Sequence, residues 1–193
     1  MQKLTVRQQV NRIVKYINMA TIQETKQGLS WYNDARLLCV ELSSTYPVTL
    51  SQVSQVISVL SPQKKWETNK LEVIALFNQV FNDIKPTFGF FATKKQIEEC
   101  KQIIKGKFSI PYKRTKTYSF ADNIANSNSE EVTIDRHALR VAYDSRDASI
   151  DKVSPVQYRE AREAYRIVAS SMGLKALEVQ AITWVVYKNL VNR

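Results

Sequence analysis

Apolar positions along this chain recur at the spacing of a helix, not of a strand. Val53, Val56, Ile57 and Leu60 fall at i, i+3, i+4 and i+7, which sets them on one face of a helix that Ser61-Pro62 brings to an end. Val73, Leu76, Phe77 and Val80 repeat the pattern in the next segment. Tyr158, Ala161, Tyr165, Val168 and Ala169 follow a Ser154-Pro155 start, with proline at an early helical position, and Leu177, Ala181, Trp184 and Val191 continue to the end of the chain. The spacing predicts helices near residues 4–24, 31–45, 50–61, 67–82, 93–105, 117–126, 135–143, 155–171 and 174–190. No alternating run competes for a sheet, so the expected fold is all-α. The stretch from Gly106 to Thr117 lacks helical periodicity and reads as a basic connector, while Asn126-Ser127-Asn128-Ser129 reads as a polar turn. No internal repeat or low-complexity tract is present.

Composition agrees with packed helices. Hydrophobic residues make up 44% of the 193 positions, interrupted by only 4 Gly and 5 Pro. That length suits one core, so over residues 1–193 one domain is expected, or one domain with two lobes of about 30–125 and 1–29 plus 126–193. Charge then narrows the partners: 28 Lys and Arg against 18 Asp and Glu leave a net charge of +10, which draws a polyanion by direct attraction and counterion release. Charge alone fits a soluble protein with solvated lysines equally well. Cys39 and Cys100 lie in apolar helical contexts and read as small hydrophobes. With one histidine and no paired cysteine spacing, neither a zinc site nor an iron–sulfur cluster finds its ligands, and no metal or cofactor is expected. Met1-Gln2-Lys3-Leu4 leads into polar residues and no apolar run nears membrane-spanning length, so the expectation is a cytoplasmic protein, monomeric and without a membrane partner.

The segment Val132-Thr133-Ile134-Asp135-Arg136-His137-Ala138-Leu139-Arg140 holds the main candidate chemistry. A carboxylate in the first turn of a helix meets the positive end of the macrodipole and unpaired backbone N–H groups, which favour its charged form. Such a fixed anion opposes the positive charge that builds on a sugar when a base–sugar bond breaks. Aspartate is also a common helix N-cap, and Asp135 taken alone reads as one. His137 would orient Asp135 or a phosphate, or sit as a satisfied helix histidine. Trp184 reads first as a core aromatic.

Asp135, His137 and Arg140 resemble the hydrophobic-Asp-x-His-x-x-Arg signature of the helix-hairpin-helix DNA glycosylase superfamily. Ile110-Pro111-Tyr112-Lys113-Arg114-Thr115-Lys116-Thr117 aligns without a gap on that family's hairpin, hydrophobic-Pro-Gly-hydrophobic-Gly-x-Lys-Thr, and sets Lys116 on the position of its Schiff-base lysine. Both hairpin glycines are replaced, by Tyr112 and Arg114, whose side chains obstruct the close approach of backbone amides to phosphate. Lys113 and Arg114 would then contact phosphate through their side chains, and Lys116 is either a nucleophile or a phosphate contact. Val59-Leu60-Ser61-Pro62-Gln63, with Trp66, Asn69 and Lys70 following, resembles the segment with which related glycosylases fill the gap left by an extruded nucleotide. Taken with Gln180-Ala181-Ile182-Thr183-Trp184, these motifs look like a group of phage-encoded relatives without a cluster.

The resemblance implies a two-lobed glycosylase-like fold and an enzyme that cleaves the base–sugar bond of a damaged or modified base in double-stranded DNA. Asp135 and Lys116 are its catalytic candidates. Gln63, Trp66, Asn69, Lys113, Arg114, His137 and Arg140 are its candidate DNA contacts. Two alternatives stand beside it. One is a phage base-hypermodification enzyme on the same scaffold, a transferase of the thymine pyrophosphorylase type. The other is a non-catalytic DNA-binding module in which Asp135 only caps a helix.

Overall fold

The computed structural model describes residues 4–147 and 154–191. Among them the fold is all-α, with helices α1 (Val6–Met19), α2 (Ile22–Thr45), α3 (Leu50–Leu60), α4 (Trp66–Asn82), α5 (Lys94–Ile104), α6 (Thr115–Ala125), α7 (Arg136–Tyr143), α8 (Pro155–Met172) and α9 (Ala176–Val191). Their starts are written locally. Thr5, Thr49, Thr93 and Ser154 each cap a helix through the side-chain oxygen and donate their own N–H to the side chain of the glutamine three residues on, which satisfies two otherwise orphaned donors at each start. Thr21 and Glu24 do the same at α2, and so break the expected 4–24 helix at Ala20. From there α2 runs unbroken through Gly28, where the periodicity predicted a gap.

The chain divides into two compact units, one drawn from Met1–Tyr32 and Asn128–Arg193, the other from Asn33–Ser127. In the first, α1 packs on α7, α8 and α9 around Ile13, Val132, Ile134, Leu139, Tyr165 and Val186. Gly28 lies against α9 so closely that an added Cβ would come within 2.5 Å of Ile182 Cα.

In the second unit α3 is the hub, packing on α4, α5 and α6. Its residues Val53, Val56, Ile57, Val59 and Leu60 are buried, at about 1.5–3 kcal/mol each. The end of α3 is closed from neighbouring helices: Asn69 Nδ2 donates to Ile57 O at 3.1 Å, Gln96 Nε2 to Val59 O at 2.9 Å, and Ser61 Oγ to Ser58 O at 3.0 Å. Those bonds fix the direction in which the chain leaves the helix.

Candidate active site

In the first unit the approach to α7 is held before the helix begins. Val132 and Ile134 are fully buried, and Tyr158 Oη donates to Val132 O at 2.8 Å and accepts from Ile134 N at 3.4 Å. Asp135 follows as the N-cap, with φ −90° and ψ −178°, and one carboxylate oxygen accepts from Ala138 N at 2.8 Å. From the other side Tyr165 Oη donates to Ala138 O at 3.1 Å and lies 3.3 Å from Thr183 Oγ1. The carboxylate is half-buried, so it is rigidly placed yet reachable.

His137 lies in the next position but one, its ring centroid 6.4 Å from Trp184, edge to face, and 5.6 Å from Tyr187. Burial pushes its imidazole below the ordinary 6.5, against the opposing pull of Asp135 and with help from Arg136, Lys188 and Arg140. Its Nδ1 is buried without a partner among the described residues. A bare lone pair there costs less than an orphaned N–H, which leaves the proton on Nε2. Arg140 Nη1 donates to Tyr187 Oη at 3.5 Å, and Lys188 Nζ stands 5.7 Å from the Trp184 ring.

Trp184 is therefore not the core aromatic that the sequence suggested. It is half-buried, pairs with Trp31 at 6.2 Å, and belongs to the surroundings of His137. Gln180, Thr183, Trp184 and Tyr187 recur at i, i+3, i+4 and i+7, a polar and aromatic stripe on an otherwise apolar helix, and that spacing was the available sign of a second contributor to the site. Gln180 accepts from Tyr32 Oη at 2.9 Å, which ties α2 to the same stripe.

The remaining candidates lie in the second unit. Ser61-Pro62-Gln63-Lys64 forms a turn closed by Lys64 N on Ser61 O at 3.2 Å, with Gln63 at φ 60°. This left-handed position usually belongs to glycine, and for glutamine it stores on the order of 1–3 kcal/mol. The side chain it presents is exposed. Lys64 anchors the turn through an ion pair with the fully buried Glu72. Trp66 opens α4, half-buried, with Lys70 Nζ 5.9 Å from its ring.

Asn69 is 2% exposed and its amide is engaged with Ile57 O, so it holds the end of α3 in place of touching DNA. Arg114 is likewise committed, paired with Glu99 and half-buried, and of the two expected phosphate contacts Lys113 is the exposed one. The turn before α6 is closed by Arg114 N on Pro111 O at 2.9 Å, and neither Tyr112 nor Arg114 takes a positive φ. Lys116 sits in the first turn of α6 and is exposed.

Among the described residues no group of three or more His, Cys, Asp or Glu is placed to hold a metal, and no helix is long and apolar enough to cross a membrane. Cys39 and Cys100 are free buried thiols, and burial pushes Cys39 up to about 12.

Fold and site together define a protein that is all-helical over the described residues, with a half-buried capping carboxylate at the start of α7. Residues 1–191 match the model of DUF7178, a family of unknown function, and the chain belongs to that family. No curated protein and no solved structure matches it.

Proposed function

We propose that the protein is a DNA base-excising enzyme of the helix-hairpin-helix glycosylase type, with Asp135 as the carboxylate that opposes charge on the reacting sugar. The observation that carries the reading is the placement of Asp135. It caps α7, is locked by Ala138 N, and remains half-buried two positions before His137, whose ring meets Trp184 edge to face. A carboxylate fixed in that way interacts more strongly with an oxocarbenium-like transition state than with the neutral nucleotide. Half-buried Trp31 and Trp184, 6.2 Å apart, are rings of the type on which an unstacked base stacks. Gln63, exposed on a strained turn with a buried anchor, suits the side chain that takes the place of the extruded nucleotide.

Water is the nucleophile in this reading. An amine needs a dry pocket to lose its proton, and Lys116 is solvent-exposed at a helix N-terminus, a position that suits a phosphate contact. The C1′–N bond breaks with its electron pair leaving on the base. Water supplies hydroxide to C1′ and a proton to the departing nitrogen, with Asp135 holding the water's proton in passage. Incubation with a panel of modified-base oligonucleotides, with and without borohydride, tests this. The reading requires free base in the supernatant and no protein–DNA adduct, equally for wild type and Lys116→Ala. An adduct that Lys116→Ala abolishes would replace water with the lysine, and absence of any released base across the panel would count against excision.

A further inference from the structure

The segment from residue 83 to 93 joins α4 to α5 without helical structure and turns large apolar side chains outward: Ile84 is 56% exposed, Phe88 41% and Phe91 79%. Phe91 is not loosely held. Its N–H donates to Glu72 Oε1 at 2.6 Å, Glu72 is fully buried, and two residues later the Thr93–Gln96 capping box starts α5. Phe88 and Phe90 meet edge to face at 6.1 Å. Beside them lies a hollow of about 380 Å³ lined by Phe90, Ala92, Lys94, Ile97, Glu98 and Lys101. Lys94 and Lys101 line it, Lys94 exposed, and Lys85 and Lys95 are exposed in the same stretch of sequence.

Flat apolar rings held open to water, interleaved with lysines, favour a ligand that brings both ring faces and anionic tethers. We infer that this surface of the second unit binds unpaired nucleotides of single-stranded DNA. Bases stack on Phe88 and Phe91, one enters the hollow against Phe90, and the phosphates pair with Lys94 and Lys101. The concave rim distinguishes this occupant from a lipid surface. Here a ring lines a hollow together with Lys94 and Lys101, which pair with phosphate, and Glu98, which accepts an N–H from a base edge. The bond from Phe91 N–H to buried Glu72 fixes the backbone from which the exposed ring projects. The same carboxylate anchors Lys64 of the Gln63 turn, so the two exposed features share one buried support. The inference does not depend on Asp135 or on base excision.

Fluorescence anisotropy with labelled oligo(dT) tests it, using the full chain. Phe91→Ala is expected to weaken binding about tenfold, the scale of one lost base-stacking contact. Lys94→Ala combined with Lys101→Ala should weaken it further and flatten its salt dependence. All variants should keep the wild-type melting temperature, since the altered side chains lie at the surface. Asp135→Asn should bind oligo(dT) as wild type does, which separates this result from the fate of the catalytic reading. Wild-type affinity for oligo(dT) in Phe91→Ala would overturn the inference. So would a wild-type protein that fails to bind oligo(dT), or a Phe91→Ala protein that loses only its association with phosphatidylserine vesicles.

Discussion

Gln63 and His137 are the residues at which local energetics and the proposed chemistry meet. Gln63 occupies a left-handed position at φ 60°, where glycine would be relaxed. Gln63→Gly is expected to leave stability unchanged or raise it by up to ~1 kcal/mol, because relief of the strain outweighs the extra entropy glycine carries in the unfolded chain. The same change should reduce excision from duplex DNA much more than from single strands, where no gap has to be filled. Denaturant melts and paired duplex and single-strand assays read the two effects. Loss of stability in Gln63→Gly would show that the glutamine side chain, not the turn, holds the loop.

His137 is the only histidine of the chain, so its imidazole gives one clean NMR titration. The midpoint should fall below 6.5, because burial outweighs the attraction of Asp135. The folded imidazole holds its proton less tightly than the unfolded one. His137 therefore adds stability at neutral pH that is lost as pH falls through about 6.5, where the unfolded chain binds the extra proton. His137→Phe should remove that part of the acid destabilisation, and a midpoint above 6.5 would contradict the burial argument.

At the scale of elements, the helices were largely legible in the sequence because their cores repeat at helical spacing and their caps are encoded three residues apart. Val53, Val56, Ile57 and Leu60 show both, next to the Thr49–Gln52 box. The start of α2 was not legible: Thr21 and Glu24 end one helix and begin another, whereas the apolar spacing runs across both. Apolar spacing also left a gap at residues 25–30, where α2 in fact continues through Gly28. In isolation it breaks helices, but here it lies where α2 and α9 approach so closely that no side chain fits. Gly28→Ala should raise intrinsic helix propensity yet destabilise the protein by about 1–3 kcal/mol through overpacking against Ile182, as urea melts would show. A stabilising effect would mean that α9 can move aside at little cost.

The candidate site was legible only in part. Asp135, His137 and Arg140 lie within one short stretch, and their spacing along α7 was visible. The contributions of Trp31, Thr183, Trp184 and Tyr187 depend on long-range packing, which a linear pattern shows only as an unusual polar stripe. Asn69 illustrates the converse: its motif position suggested DNA, and its burial spends it on a helix end.

On the scale of the whole molecule, a net charge of +10 and exposed Lys113 and Lys116 make salt the first variable to control. If six to ten phosphates are contacted, duplex affinity should fall on the order of 10³–10⁵-fold between about 50 and 200 mM salt, and a flat response would point to a different partner. Binding alone does not establish chemistry, however, and the central claim rests on one carboxylate. Asparagine at position 135 keeps the shape and can still cap α7, but lacks the charge. Single-turnover base release by wild type and Asp135→Asn on the same excised substrate is therefore the most direct measurement. The account predicts a loss of roughly 10²–10³-fold in rate for Asp135→Asn, with DNA affinity and melting temperature unchanged. Base release at the wild-type rate in Asp135→Asn would contradict it.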